Sequence, residues 1–234
     1  MYINNKTLVR LPYLTLKKMY RTKGTKNAGN IKNTDLYKNT QELTNLQQDI
    51  LIGLLLGDAT LRPKGVKGGS ALQINHSQGQ KDYILYLHNL FEPFIIAPVK
   101  FQTKYNKVVD MTYYNCSMHT LAFTCFANFR DYFYLNNRKI VPVNIGDLLK
   151  SPGLAHWAMD DGSKADSGFI LHTESFTFEE VMLLIKVLKD NFELEATPKK
   201  ARNNFVIYIK ASSIAQFKSL VKPYFVPSML YKLK

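Results

Sequence analysis

Apolar positions in this chain follow helical and strand periods in one fixed order, and that order occurs twice. The first pass predicts a helix over 46–57 and strands over 59–62 and 70–76. The segment between those strands, from Pro63 to Gly69, has the Gly and Pro content of a hairpin turn. A helix over 81–91, strands over 99–104 and 108–117, and a helix over 121–133 complete the pass. The second pass predicts a helix over 145–159, with Pro152 in its first turns or at a break. Strands over 163–164 and 169–174 follow, then a helix from Thr177 through 188, favoured at its start by Glu179 and Glu180. Strands over 194–198 and 205–210 precede a last helix, capped by Ser212 or Ser213 and ending near 221. Each half therefore reads αββαββα. The expected fold is α/β (α+β), with a first half over 45–146 and a second over 147–234 behind a basic flexible N-terminal arm over 1–44.

The leading helix of each half is apolar, rich in small residues, and ends in an acid. One copy runs Leu51-Ile52-Gly53-Leu54-Leu55-Leu56-Gly57-Asp58, the other Leu154-Ala155-His156-Trp157-Ala158-Met159-Asp160-Asp161. An acid at a helix C-terminus opposes the macrodipole, at a cost of about 0.3 kcal/mol or more. Two ordinary core helices would not both carry that cost at equivalent places. Gly53 and Gly57 lie on one helix face, as do Ala155 and Ala158 on the other helix, so a close helix–helix approach is expected. The halves also match further on. His76-Ser77 precedes one helix and Glu174-Ser175 the equivalent one, which makes His76 and Glu174 counterparts. Lys139 and Lys232 close the two halves in similar phrases.

Charge narrows the partner. The formal net charge is +13, and the first 34 residues contain no acid. Such a surplus fits a polyanion, nucleic acid before a membrane surface. No apolar run approaches the roughly 18 residues that span a bilayer, and no membrane partner is expected. The stretch over 23–33 is rich in Gly, Asn and Lys, as in a flexible basic arm. Cys116 and Cys125 have neither metal-ligand spacing nor a disulfide framework.

These residues resemble the LAGLIDADG homing endonucleases, specifically the single-chain type with two motif copies such as the omega-type mitochondrial intron endonuclease. The resemblance runs from about residue 45 to the C-terminus. It is carried by the two acidic helices, by Thr173-Glu174-Ser175-Phe176-Thr177-Phe178-Glu179-Glu180-Val181, and by Met229-Leu230-Tyr231-Lys232-Leu233. Gly57 and Ala59 depart from the family phrase, as do His156 at a glycine position and Asp160 before the aligned acid, so a looser or shifted helix interface is expected around His156.

The resemblance implies two pseudo-symmetric halves presenting a saddle-shaped antiparallel sheet surface to double-stranded DNA. It implies a monomeric, intron-encoded, site-specific double-strand endonuclease from a mitochondrion or chloroplast. The implied metal is Mg²⁺, replaceable by Mn²⁺, on Asp58 and Asp161, with Lys139 and Lys232 also catalytic. The alternative is an intron maturase, with its host intron RNA as partner. Gln73, His76 and Glu174 are expected to organise water or contact bases. Strand alternation offers Lys64, Lys67, Asn75, Lys100, Gln102, Lys104, Tyr113 and Asn115 as DNA contacts in the first half. The second half offers Lys164, His172, Lys199, Arg202, Asn204 and Lys210.

Overall fold

Alternating apolar residues build two sheets of identical topology, each facing a layer of helices. The computed structural model describes residues 31–64 and 69–234. The basic stretch before residue 31 and Lys67 lie outside them. The first half comprises α1 (Asp35–Thr40), α2 (Asn45–Leu56), β1 (Thr60–Lys64), β2 (Gly69–Ser77), α3 (Lys81–Leu90), β3 (Lys100–Asn106), β4 (Met111–His119) and α4 (Ala127–Phe133). A short hairpin, β5 (Tyr134–Leu135) and β6 (Arg138–Lys139), and α5 (Ile145–Leu148) lead to the second half. That half comprises α6 (Ser151–Asp161), β7 (Gly162–Lys164), β8 (Phe169–Leu171), α7 (Phe178–Phe192), β9 (Ala196–Ala201), β10 (Asn204–Ile209) and α8 (Ile214–Val221). The sheet orders are β1-β2-β4-β3 and β7-β8-β10-β9, every pairing antiparallel.

Local chemistry starts the helices. Thr44 and Thr177 each form a capping box, with Gln47 and Glu180 respectively. Glu180 also accepts from the Val141 N–H at 2.9 Å, which ties the two halves together. Helices α2 and α6 pack with almost no gap: a Cβ on Gly53 would lie 1.9 Å from the Gly153 carbonyl oxygen, and one on Gly57 2.6 Å from Asp160 Cβ. One continuous core, with Trp157 fully buried, runs through both halves. No described helix is long and apolar enough to cross a membrane.

Several expectations need correction. The helix over 145–159 is two helices, because Pro152 belongs in the first turn of α6, where its missing N–H costs nothing. The segment 121–133 becomes helical only after an isolated bridge at Phe123 and a tight 3₁₀ turn. The close approach on α6 is made by Gly153, not by the Ala155/Ala158 pair alone, and the interface is tight. Within the 1–44 segment, Tyr37 on α1 donates to the Pro93 carbonyl at 3.1 Å and meets Phe123 edge-on. Lys32 pairs with Glu92, so residues 31–44 dock on the first half.

Candidate active site and nucleic-acid interface

The helix pair delivers three carboxyl groups to one place. Asp161 is the last residue of α6, whereas Asp58 lies one residue beyond Gly57, the C-cap of α2. Asp58 is 44 % exposed. Asp160 is buried between the helices, where its Oδ1 accepts from the Tyr83 hydroxyl at 2.8 Å and its Oδ2 from the Asp58 N–H at 3.3 Å. His76 stands between Asp58 and Asp160, with Nδ1 3.5 Å from Asp58 Oδ2 and Nε2 3.6 Å from Asp160 Oδ1.

Both lysines reach the ends of the helix pair. Lys139 Nζ donates to the Gly57 and Ala59 carbonyls, both at 2.7 Å. Lys232 Nζ donates to the Met159 and Asp160 carbonyls, the latter at 3.0 Å. Lys232 thus satisfies carbonyls of the last turn of α6, Lys139 those of the C-cap Gly57 and of Ala59 beyond it, and each ammonium keeps a third proton for another acceptor. Lys139 is placed by the β5–β6 hairpin, whose Asn136 and Asn137 adopt φ of 51° and 62°. Asparagine tolerates that left-handed turn. Tyr134 of the same hairpin accepts from the Leu61 N–H at 3.0 Å, and Arg130 stacks over its ring.

Electrostatics follow from crowding. Burial, then the Asp58 charge, pushes the Asp161 carboxyl up to about 6; Lys139, Lys232 and His172 oppose the rise. Burial and the Asp58 charge raise Asp160 well above the carboxylate range, against the Tyr83 hydrogen bond. Burial also lowers both lysines, while the three aspartates pull them back up. His76 is lowered by burial first, with Asp58 opposing. Two carboxylates that raise each other's cost of ionisation offer oxygen donors that a cation would relieve. Among the described residues no three of His, Cys, Asp and Glu are arranged to hold one metal ion together. The donors therefore fit a hard cation that completes its shell with water and phosphate oxygens, as Mg²⁺ does, and fit a soft metal poorly.

Strand register sorts the remaining expected residues. Gln73 pairs with Thr60, two residues past Asp58, and Ile170 with Ser163, two residues past Asp161. His172 is then the counterpart of Asn75, Thr173 of His76, and Glu174 of Ser77. The expected equivalence of His76 and Glu174 is off by one residue, which on a strand reverses the face. His76 lies on the inner face of β2, 6 % exposed, with its ring at the floor of the groove beside Asp58. His172 points outward, hydrogen-bonding Ser163 at 2.9 Å and Glu174 at 3.1 Å.

Asn75, Gln102 and Asn115 line an open groove of about 390 Å³ beside Asp58, with Ser77, Gln80 and Ser117. Gln73, Lys100, Lys104 and Tyr113 share that face by register, and Lys64 ends β1 opposite Gly69. In the second half Lys199 shares its face with Tyr208, 5.9 Å from its ring, while Asn204 starts β10 on the same side. Arg202 occupies the β9–β10 turn with φ 54°. Lys210 lies just past β10, bonded through its N–H to Glu195. Lys164 turns away from Ser163 and lines a second hollow of about 200 Å³ with Lys218 and Lys232. Sequence reasoning passed over Tyr83, Gln80, Ser117 and the role of Asp160. The doubled Asp160-Asp161 and the Asn136-Asn137 turn were the available signals.

The chain is similar to known proteins over nearly its whole length. The LAGLIDADG DNA endonuclease family model matches residues 48–217. A probable intron-encoded endonuclease 1 of Wickerhamomyces canadensis is 30% identical over 207 residues, 85% of this chain and 88% of that protein. Cytochrome b mRNA maturase bI2 of Debaryomyces hansenii is 27% identical over 214 residues, 87% of this chain and 79% of that protein. Among solved structures, the homing endonuclease I-WcaI bound to its DNA recognition sequence superposes with a TM-score of 0.81 at 28% identity, covering 92% of this chain and 96% of that one. The repeated αββαββα halves, the acid-tipped helix pair and the span of these matches have one source: this chain belongs to the LAGLIDADG DNA endonuclease family.

Proposed function

We infer that this protein is a site-specific endonuclease that hydrolyses both strands of a long, asymmetric DNA duplex with the help of Mg²⁺, which Mn²⁺ can replace. One observation carries the reading: the tightly packed helices of two unequal halves end in Asp58 and Asp161, and Asp58 lines the groove. Asp58 and Asp161 would hold the divalent ions, which would supply charge neutralisation at phosphate and acidify water. Lys139 and Lys232 hold the helix ends in place and turn their remaining protons toward the developing negative charge. Asn75, Gln102 and Asn115 offer amide donors and acceptors to base edges in the major groove. Lys100, Lys104 and Lys199 serve phosphates. Since one chain carries both half-sites, it acts as a monomer. The kinship with intron-encoded proteins supports an organellar, intron-borne gene.

Cleavage of a duplex selected from a random library by the wild-type protein tests this. Asp58→Asn and Asp161→Asn are expected to abolish double-strand breaks while retaining binding. Double-strand breaks at the wild-type rate in either variant would overturn the ligand assignment.

A second reading, intron maturase, is favoured by one observation. The opposite face of β3–β4 exposes Phe101, Tyr105 and Tyr114, and aromatic rings of this kind stack on unpaired RNA bases. Phe101→Ala with Tyr114→Ala should then weaken binding of the host intron RNA without slowing DNA cleavage. Unchanged RNA affinity would reject this reading.

A further inference from the structure

We propose that Asp160, carried by the second half, is a positioning residue for Asp58 of the first, and that with Tyr83 and His76 it makes the two half-sites chemically unequal. The inference rests on Asp58 and Asp161 being the metal ligands.

The two carboxylates are held by different means. Asp161 is still inside α6, so the helix itself fixes its backbone. Asp58 follows the C-cap Gly57, whose φ −97° and ψ −137° take the chain out of the helix. Its N–H is donated across the interface to Asp160 Oδ2 at 3.3 Å. Asp160 is in turn anchored by the Tyr83 hydroxyl at 2.8 Å. His76 fills the angle between the two acids, and its Nε2 makes no hydrogen bond among the described residues. That unsatisfied atom lies 3.6 Å from Asp160 Oδ1, so a small movement of either group would close a bond.

None of this has a counterpart on the other side. The residue equivalent to Asp160 is Gly57, and its missing Cβ makes the arrangement possible: an added Cβ would lie 2.7 Å from Asp160 Oδ2. The residue equivalent to His76 is Thr173, whose hydroxyl is engaged with the Phe205 carbonyl at 2.9 Å. Asp58 therefore depends on a buried, cross-interface relay, and Asp161 does not. Loss of the relay should slow one strand more than the other.

Single-turnover cleavage of a duplex cut by the wild-type protein, with both strands end-labelled, measures the two strand rates separately. Asp160→Ala is expected to change their ratio by about 10-fold or more, the usual effect of removing a group that orients a metal ligand. Tyr83→Phe should shift the ratio in the same direction by a smaller factor, and Asp160→Asn should recover part of it. Melting temperatures are measured alongside. If Asp160→Ala does not fold, Tyr83→Phe and Asp160→Asn carry the test. Equal slowing of both strands, or an unchanged ratio, would overturn the proposal. Asp58→Asn, run in parallel, separates the two levels: wild-type cutting by that variant sinks the ligand assignment itself.

Discussion

Burial and the Asp58 charge raise the Asp161 carboxyl to about 6, which has a consequence for stability. Between the unfolded value near 3.8 and the folded value, the folded chain keeps a proton that the unfolded chain has lost. Rising pH therefore favours unfolding: the penalty is absent below about 4 and complete above about 6. Without divalent ions, Asp161→Asn should be more stable than the wild type by about 3 kcal/mol at pH 7.5 and equally stable at pH 4. Thermal scans at the two pH values check this. Added Mg²⁺ should stabilise the wild type mainly above pH 6, since the ligand must be ionised. His156 behaves in the opposite sense. It is fully buried, donates from Nδ1 to the Pro152 carbonyl at 2.8 Å, and stacks on Tyr86. Burial lowers it to about 4 from 6.5. Below 6.5 the unfolded chain takes up a proton that the folded chain refuses, so stability falls as pH drops toward 4, by about 3 kcal/mol. His156→Phe should flatten that slope in denaturant titrations across the window.

Helix packing decides the geometry of the site at the scale of elements. Gly53→Ala would improve helix propensity by about 1 kcal/mol. The new Cβ would nevertheless sit 1.9 Å from the Gly153 carbonyl oxygen, with rigid backbone on both sides. The clash wins, and a loss of about 3 kcal/mol or more is expected in urea unfolding, together with lost cleavage. Gly146→Ala is the control, because the nearest atom to its new Cβ would be Val187 Cγ2 at 3.4 Å, far from any overlap. The departure of Gly57 from the family phrase now has a physical reason: Asp160 occupies the space a methyl group would need. The order of helices and strands was legible because each element carries its own period and caps, as with Thr44 and Thr177. The β5–β6 hairpin was missed because two-residue strands have no period, although Asn136-Asn137 marked its turn.

A net charge of +13 predicts strongly salt-dependent DNA binding for the whole molecule. With about 6–10 phosphate contacts, affinity should fall by about 10³-fold or more between 50 and 200 mM salt. Lys100→Ala and Lys104→Ala should each lower affinity similarly for all sequences and reduce the salt slope by about 1. Gln102→Ala, inside the groove, should instead relax preference at one base pair. Fluorescence-anisotropy titrations on matched and singly mismatched duplexes distinguish these outcomes. By itself the sequence determined the duplicated αββαββα order, the two acid-tipped helices, the paired lysines and the basic character. Those properties reside in local periods, repeats and composition. Only the tertiary structure decided which acid is buried, that His76 faces inward while His172 faces out, and that the Asp58 N–H is bonded across the interface to Asp160. Strand register and helix–helix distance set all three, and neither is encoded in any single segment.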